Sequence, residues 1–241
     1  MLKRKKKILS ITIDAIFLAI ILLMTYTQIG FIPLGPISVT IIHIPVLIGA
    51  YLFGWKKGLL YGIFFGCVSL FKAIESPMSI LDPFFQNPFI SVLPRALFGF
   101  ISGLVFDFVK KISKKQIFTQ SLTIVAGFIL TMIHSVLVLG ILGIVYSDTL
   151  TELLTEYYAS YWIFMGITLG SSSLLEALCG GIITPLVAFP LKQYALKEYI
   201  SLIEKTEKEK VKVNHEETIK SRIISNSNSQ CEILISIKKY K

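Results

Sequence analysis

Charge is scarce in this chain. Only 16% of its 241 residues are Asp, Glu, Lys or Arg, against 54% that are hydrophobic. A water-soluble domain normally carries charge at about a quarter of its positions, so an ordinary soluble globular protein is excluded and the bilayer becomes the natural solvent. Cysteine is sparse as well. Cys67, Cys179 and Cys231 are scattered, which excludes a disulfide framework and any zinc-ligand spacing. The three read as small buried hydrophobes, and no metal site is expected. A nucleotide-binding P-loop is also missing: Gly49-Ala-Tyr-Leu-Phe-Gly54-Trp-Lys has two glycines but lacks the Gly-Lys-Ser/Thr ending. The chain holds no cofactor of its own on this reading, and any energy must come from another polypeptide.

What is present is a series of six apolar stretches, 8–28, 39–55, 58–73, 91–109, 117–146 and 160–191. A hydrocarbon core about 30 Å thick takes roughly 20 residues of helix; the second stretch is near the short limit and the last two are long enough to tilt. The expectation is an all-α membrane protein with six transmembrane helices. It comprises a basic N-terminus (1–7), a membrane domain (8–191) and a charged tail (192–241). Of the thirteen basic residues before position 192, all but Lys72 and Arg95 fall in the run Lys3 to Lys7, at Lys56 and Lys57, or at Lys110, Lys111, Lys114 and Lys115. The alternate gaps are uncharged (29–38) or acidic, with Glu75 and Asp82 in one and Asp148, Glu152 and Glu156 in another. Lys and Arg stay on the cytoplasmic side, so both termini are expected there, in a multi-pass protein of a bacterial cytoplasmic membrane.

The first stretch has the positive start of a signal peptide. Its apolar run is longer than an h-region, however, and no small-residue cleavage site follows Met24, so it is read as retained. A formal charge of +9 would suit nucleic acid, but these lysines sit at span ends, where they meet anionic lipid headgroups; no nucleic-acid partner is expected. Beyond Lys192, sequence such as Glu204-Lys-Thr-Glu-Lys-Glu-Lys-Val-Lys reads as solvated helix or disorder.

Gly54, Gly58, Gly62 and Gly66 recur every fourth residue, giving the third span a bare face that another helix can approach closely; Gly99 and Gly103 repeat the device in the fourth. Ionisable groups inside hydrocarbon cost several kcal/mol unless they face the bundle interior. His43, Arg95, His134 and Glu176 all lie within spans, and small or polar neighbours (Thr131, Ser135, Ser172, Ser173, Gly180) share their helix faces. They are candidates to line a polar cavity open to the outside, with Arg95 holding a carboxylate by paired hydrogen bonds. The alternative is that Arg95 and Glu176 neutralise each other and fix helix packing. His43 precedes Pro45, which leaves the Ile41 carbonyl without its helical donor, so the imidazole has a local structural use too. Lys72 has the position of a snorkelling lysine, and Asp14 that of a partner for the N-terminal lysines. Among the loops, Phe31-Ile-Pro-Leu-Gly-Pro-Ile-Ser reads as a stiff apolar hairpin that caps a pocket. Asp82-Pro-Phe-Phe-Gln-Asn-Pro-Phe offers aromatic rings beside Gln86 and Asn87, suited either to ligand contact or to an interfacial belt.

Three segments together, Ile32-Pro-Leu-Gly-Pro-Ile-Ser-Val-Thr-Ile-Ile-His-Ile-Pro-Val-Leu-Ile-Gly-Ala, Gly58 to Ser69, and Leu93-Pro-Arg-Ala-Leu-Phe-Gly-Phe, resemble the substrate-binding S components of energy-coupling factor (ECF) vitamin transporters. The resemblance covers about 8–195. It implies six membrane helices with cytoplasmic ends, capture of a vitamin from outside, and release inward when the protein topples within a complex. That complex contains a transmembrane T component and two ATPase subunits, which hydrolyse the ATP. The family's Ala-x-x-x-Ala, here Ala15-Ile-Phe-Leu-Ala19, implies contact with the T component. The Thr40-Ile-Ile-His-Ile-Pro-Val46 segment is most similar to members that carry pantothenate, although riboflavin, folate and pyridoxine carriers share much of the framework. Two other classes stand beside this one. An intramembrane hydrolase would use one of Ser171 to Ser173 as nucleophile with His134 as base, and a passive structural protein would leave the polar groups without purpose.

Overall fold

The computed structural model describes residues 2–27, 30–34, 37–77, 81–112, 116–154 and 158–194; Lys114, Lys115, Glu156, Cys231 and the tail beyond 194 lie outside them. The chain divides into two compact units, Met1–Phe189 and Pro190–Lys241, and the polar cluster described below belongs wholly to the first. Its elements are α1 (Leu2–Tyr26), a hairpin of β1 (Phe31–Leu34) and β2 (Ile37–Thr40), α2 (His43–Phe53), α3 (Trp55–Glu75), a 3-10 turn (Asp82–Gln86), α4 (Pro88–Ile112), α5 (Gln116–Leu154) and α6 (Tyr161–Gly170). After a break at Ser171 the last helix resumes over 172–194.

Four helices are long and apolar enough to cross a membrane: Trp55–Glu75, Pro88–Ile112, Gln116–Leu154 and the two-part Tyr161–Tyr194. Two apolar helices are shorter, Ser10–Tyr26 and His43–Phe53. The second expected stretch, 39–55, is therefore corrected. Val39 and Thr40 end a strand, and the 11 residues of α2 rise only about 16 Å at 1.5 Å per residue. Residues 43–51 of α2 are all buried, as expected of a helix that is apolar on every side. It is a core helix enclosed by the others. The longer helices instead expose Ile117, Ile144, Leu186 and many other large apolar side chains, the surface that lipid rather than water accommodates.

Successive helices run antiparallel, as their close approaches show. Methyl groups added at Gly58, Gly62 and Gly66 of α3 would strike Gly99, Arg95 and Val92 of α4 respectively, so ascending positions meet descending ones. The glycine face thus brings the two backbones into contact. Gly54 continues the series against Asp107 and Gly103 of α4, from just before the helix begins. It sits between α2 and α3 with φ 79° and ψ −173°, a conformation open to glycine, and reverses the chain in one residue. The hairpin is antiparallel, with Phe31 opposite Thr40 and Leu34 opposite Ile37. One end of the bundle therefore carries the hairpin, the 3-10 turn and the α5–α6 connection, and the other carries Lys56, Lys57, Lys110 and Lys111.

The α3–α4 contact has no room for a side chain. Gly58→Val is expected to lower stability by about 1–3 kcal/mol through overpacking, read as a lower Tm in detergent, whereas Gly140→Ala, where a methyl group meets nothing within 4 Å, leaves Tm unchanged.

Candidate functional site

Pro94 lies inside α4 and has no N–H to give the carbonyl of Ile90 four residues back. The side chain next to it takes over. Arg95 Nη1 donates to Ile90 O at 2.9 Å, so the proline creates the acceptor that anchors the arginine. The guanidinium then lies 4.9 Å from the Phe85 ring and 5.9 Å from the Phe65 ring, within cation–π range. Arg95 is 7% exposed, and its Nε has no hydrogen-bond partner. Among the described residues the ion pairs are Asp14–Lys57 and Asp107–Lys110, so no carboxylate there neutralises Arg95.

Beside the arginine is a pair of imidazoles. The His134 ring is 4.6 Å from Phe98, 5.9 Å from Phe65 and 5.7 Å from His43, the last nearly perpendicular. His43, at the start of α2 and 2% exposed, approaches Thr131 Oγ1 of α5 with its Nε2 at 3.3 Å. Thr131 in turn donates to the Gly127 carbonyl at 2.9 Å. Gly180 closes this side, since a methyl group there would run into Thr131 Oγ1 and crowd His43 Nε2. The Ile41 carbonyl does not wait for the imidazole. It accepts from the Ile44 N–H at 3.1 Å, and His43 bonds instead to the Thr40 backbone.

Glu176 completes the cluster from 172–194. Its Oε1 accepts from the Thr40 N–H at 2.6 Å and from Thr40 Oγ1 at 2.9 Å, and Ser135 of α5 also bonds to it. The carboxylate therefore ties the last residue of β2 to two helices. The pairing of Arg95 with Glu176 that the sequence left open is not among the ion pairs of the described residues: Glu176 accepts from Thr40, and Arg95 Nη1 donates to the Ile90 carbonyl. Arg95, His43, His134, Thr131, Ser135 and Glu176 come together at the hairpin end, from α2, α4, α5 and the 172–194 helix.

Other sequence candidates lie apart from them. Gln86 Nε2 donates to the Ala73 carbonyl at 3.1 Å. Asn87 caps the start of α4, its Oδ1 accepting from Phe89 N at 3.0 Å while Nδ2 reaches Tyr146 OH at 3.4 Å. These amides brace the 3-10 turn, and it is Phe85 of that turn that reaches Arg95. Ser171 and Ser172 direct their hydroxyls to the carbonyls of Ile167 and Thr168, whereas the ring neighbours of His134 are Phe65, Phe98 and His43. Asp14 pairs with Lys57 of α3; the side chains of the N-terminal lysines lie outside the described residues. Lys72 does more than snorkel, since its Nζ donates to the Thr25 carbonyl at 2.6 Å. Ala15 and Ala19 are exposed on α1. Two contributors escaped the sequence reading: Thr40, which it placed in the second span, and Phe65 and Phe98 beside His134, which look like any apolar residue of a span; Phe85 was among the loop aromatics it put forward.

Residues 9–188 match the family model described as ECF transporter, substrate-specific component. The chain is 42% identical over 112 residues to the pantothenate transporter PanT of Leuconostoc mesenteroides, covering 44% of this chain and 54% of that protein. It is 30% identical over 197 residues to the pantothenic acid transporter PanT of Lactococcus lactis, covering 75% and 92%. The match thus spans about half the length of the first relative and nearly all of the second.

The Glu176–Thr40 bonds give a direct expectation. Glu176→Ala leaves the Thr40 N–H without its acceptor, and hydrogen exchange measured on a peptide containing Thr40 and Ile41 should accelerate. Stability should drop by about 1–3 kcal/mol, the desolvation penalty of a donor left unsatisfied.

Proposed function

The chain belongs to the family of ECF transporter substrate-specific components, and from that premise we propose that it captures pantothenate, or a closely related B vitamin, from outside the cell. Arg95 carries this reading. A buried cation costs several kcal/mol unless compensated, and Arg95, lacking a carboxylate among the described residues and with Nε unpartnered, is matched by the carboxylate that pantothenate carries. His43, His134, Thr131 and Ser135 offer imidazole and hydroxyl groups for the remaining polar atoms of such a ligand. Glu176 and Ser172 complete the candidate set, with Glu176 holding the hairpin over it. Gln86 and Asn87 serve indirectly, by fixing the turn that bears Phe85.

The rest of the proposal follows from charge and composition. All six apolar helices, including the short α2, sit in the cell membrane, with both termini and the lysine end in the cytoplasm and the hairpin end outside. On this reading residues 1–7 and 192–241 flank the membrane domain 8–191. The chain works without an enzymatic step or a cofactor of its own, while ATP is hydrolysed by two ATPase subunits joined to it through a T component. The exposed pair Ala15 and Ala19 provides the smooth face on which that partner's helix docks.

Purified protein should gain stability from pantothenate without ATP, by about 2.7 kcal/mol at a hundredfold excess over Kd, visible as a raised Tm. Arg95→Ala should abolish that shift, and a wild-type protein indifferent to every B vitamin tested would overturn the proposal. Ala15→Leu with Ala19→Leu should stop uptake while leaving the Tm shift intact.

A further inference from the structure

The docking face of α1 is only useful if α1 cannot roll about its own axis, and apolar packing, being non-directional, does not by itself fix that rotation. Among the described side chains from Ile8 to Tyr26, Phe17, Ile21 and Thr25 are buried and Ile13, Leu18 and Met24 pack partly buried against the core, while Ile8, Ile11, Ile16, Ile20, Leu22 and Leu23 are exposed. One stripe of side chains meets the bundle. Polar bonds to α3 pin it at two levels. Near the lysine end the Asp14 carboxylate takes Lys57 Nζ on one oxygen and the Tyr61 hydroxyl, at 2.6 Å, on the other. Near the hairpin end Lys72 Nζ donates to Thr25 O at 2.6 Å, and Tyr26 OH donates to Glu75 Oε2 at 3.0 Å.

We propose that Asp14 is the positioning residue of the partner-docking surface: its two bonds to Lys57 and Tyr61 fix the rotation of α1 so that Ala15 and Ala19 stay turned away from the bundle. Helical geometry sets the relation, because neighbouring residues differ by 100° around the axis. With Asp14 directed at α3, Ala15 points about 100° and Ala19 about 140° away from that direction, and both are exposed. Phe17, Ile21 and Thr25 fall within about 60° of Asp14, and all three are buried. Phe17 also stacks on the ring of Tyr61 at 5.4 Å, so one tyrosine is held by both the apolar and the polar contact. Asp14 is partly shielded, its side chain 16% exposed against 32% for Lys57, which spares the pair much of the screening that makes surface ion pairs weak. The same α3 packs Gly62 against the Arg95 backbone, so the element that orients the docking face also abuts the candidate binding site.

This inference rests on the proposed docking of a T component at Ala15 and Ala19, and the experiment separates the two. In cells carrying the complete transporter, Asp14→Ala should cut labelled pantothenate uptake roughly tenfold and reduce recovery of the partner subunits with the protein. Pantothenate binding to the purified variant, measured by its Tm shift, should stay at the wild-type level. Asp14→Lys combined with Lys57→Asp should restore uptake, an outcome that a general packing role for either residue does not produce. Wild-type uptake by Asp14→Ala, binding lost in proportion to uptake, or failure of the swapped pair to rescue would each overturn the inference. Should the Ala15→Leu, Ala19→Leu variant itself take up pantothenate normally, the docking assignment falls rather than the role of Asp14 alone.

Discussion

A guanidinium sealed among phenylalanine rings, with no counter-charge among the described residues, is the constraint on which the polar cluster depends. Water is excluded from Arg95, and one backbone carbonyl with two ring faces compensates only part of a full positive charge. A protein can retain such a group when a ligand supplies the missing charge. The carboxylate in the neighbourhood, Glu176, does not supply it, because its bonds run to Thr40 and Ser135.

Holding those groups apart requires helices that do not shift. The glycine faces of α3 and α4 bring the backbones together, so the place of Arg95 is set by main-chain contact with Gly62 and not by adaptable side chains. On the other side Gly180 lets the 172–194 helix approach Thr131 and His43, which brings Glu176 under β2. Removing side chains at two helix contacts thus determines where the polar groups end up. α2 completes the arrangement: enclosed on all sides, it presents His43 from its first turn, directly after the strand that Glu176 ties down.

The pattern of spans was legible because hydrophobic length and charge placement act over many residues at once. Gln116–Leu154 and Pro88–Ile112 are unambiguous by length and composition. The short α2 was not, since a stretch of 17 apolar residues reads the same whether it is one helix or a strand end followed by a core helix; long-range pairing of Thr40 with Glu176 decides between them. At the site, sequence found the ionic residues because they are costly in hydrocarbon, but it mispaired them. Asp14 bonds to Lys57, whose position beside α1 depends on the fold and could not be read from sequence spacing. Proline logic was sound and applied at the wrong place. The carbonyl freed by Pro45 was expected to recruit His43, whereas the carbonyl freed by Pro94 is the one that recruits a side chain, Arg95.

On the proposed function, a binding site that gains affinity by compensating a buried charge also retains its ligand, and this bears on how such a chain takes part in uptake. Binding alone moves nothing against a gradient; release requires a second state in which the compensation is weaker, and each tenfold change in affinity requires about 1.4 kcal/mol of difference between the states. That difference, on the proposed function, comes from partner subunits and enters through a surface of the chain. α1 is the helix best placed to transmit it. It is exposed along one flank and bonded at two levels to α3, and α3 touches the backbone of Arg95 through Gly62. On the proposed function, force applied at the exposed flank passes to α3 through the Asp14, Lys57, Tyr61 and Lys72 side chains, and from α3 to Arg95 through the backbone contact at Gly62.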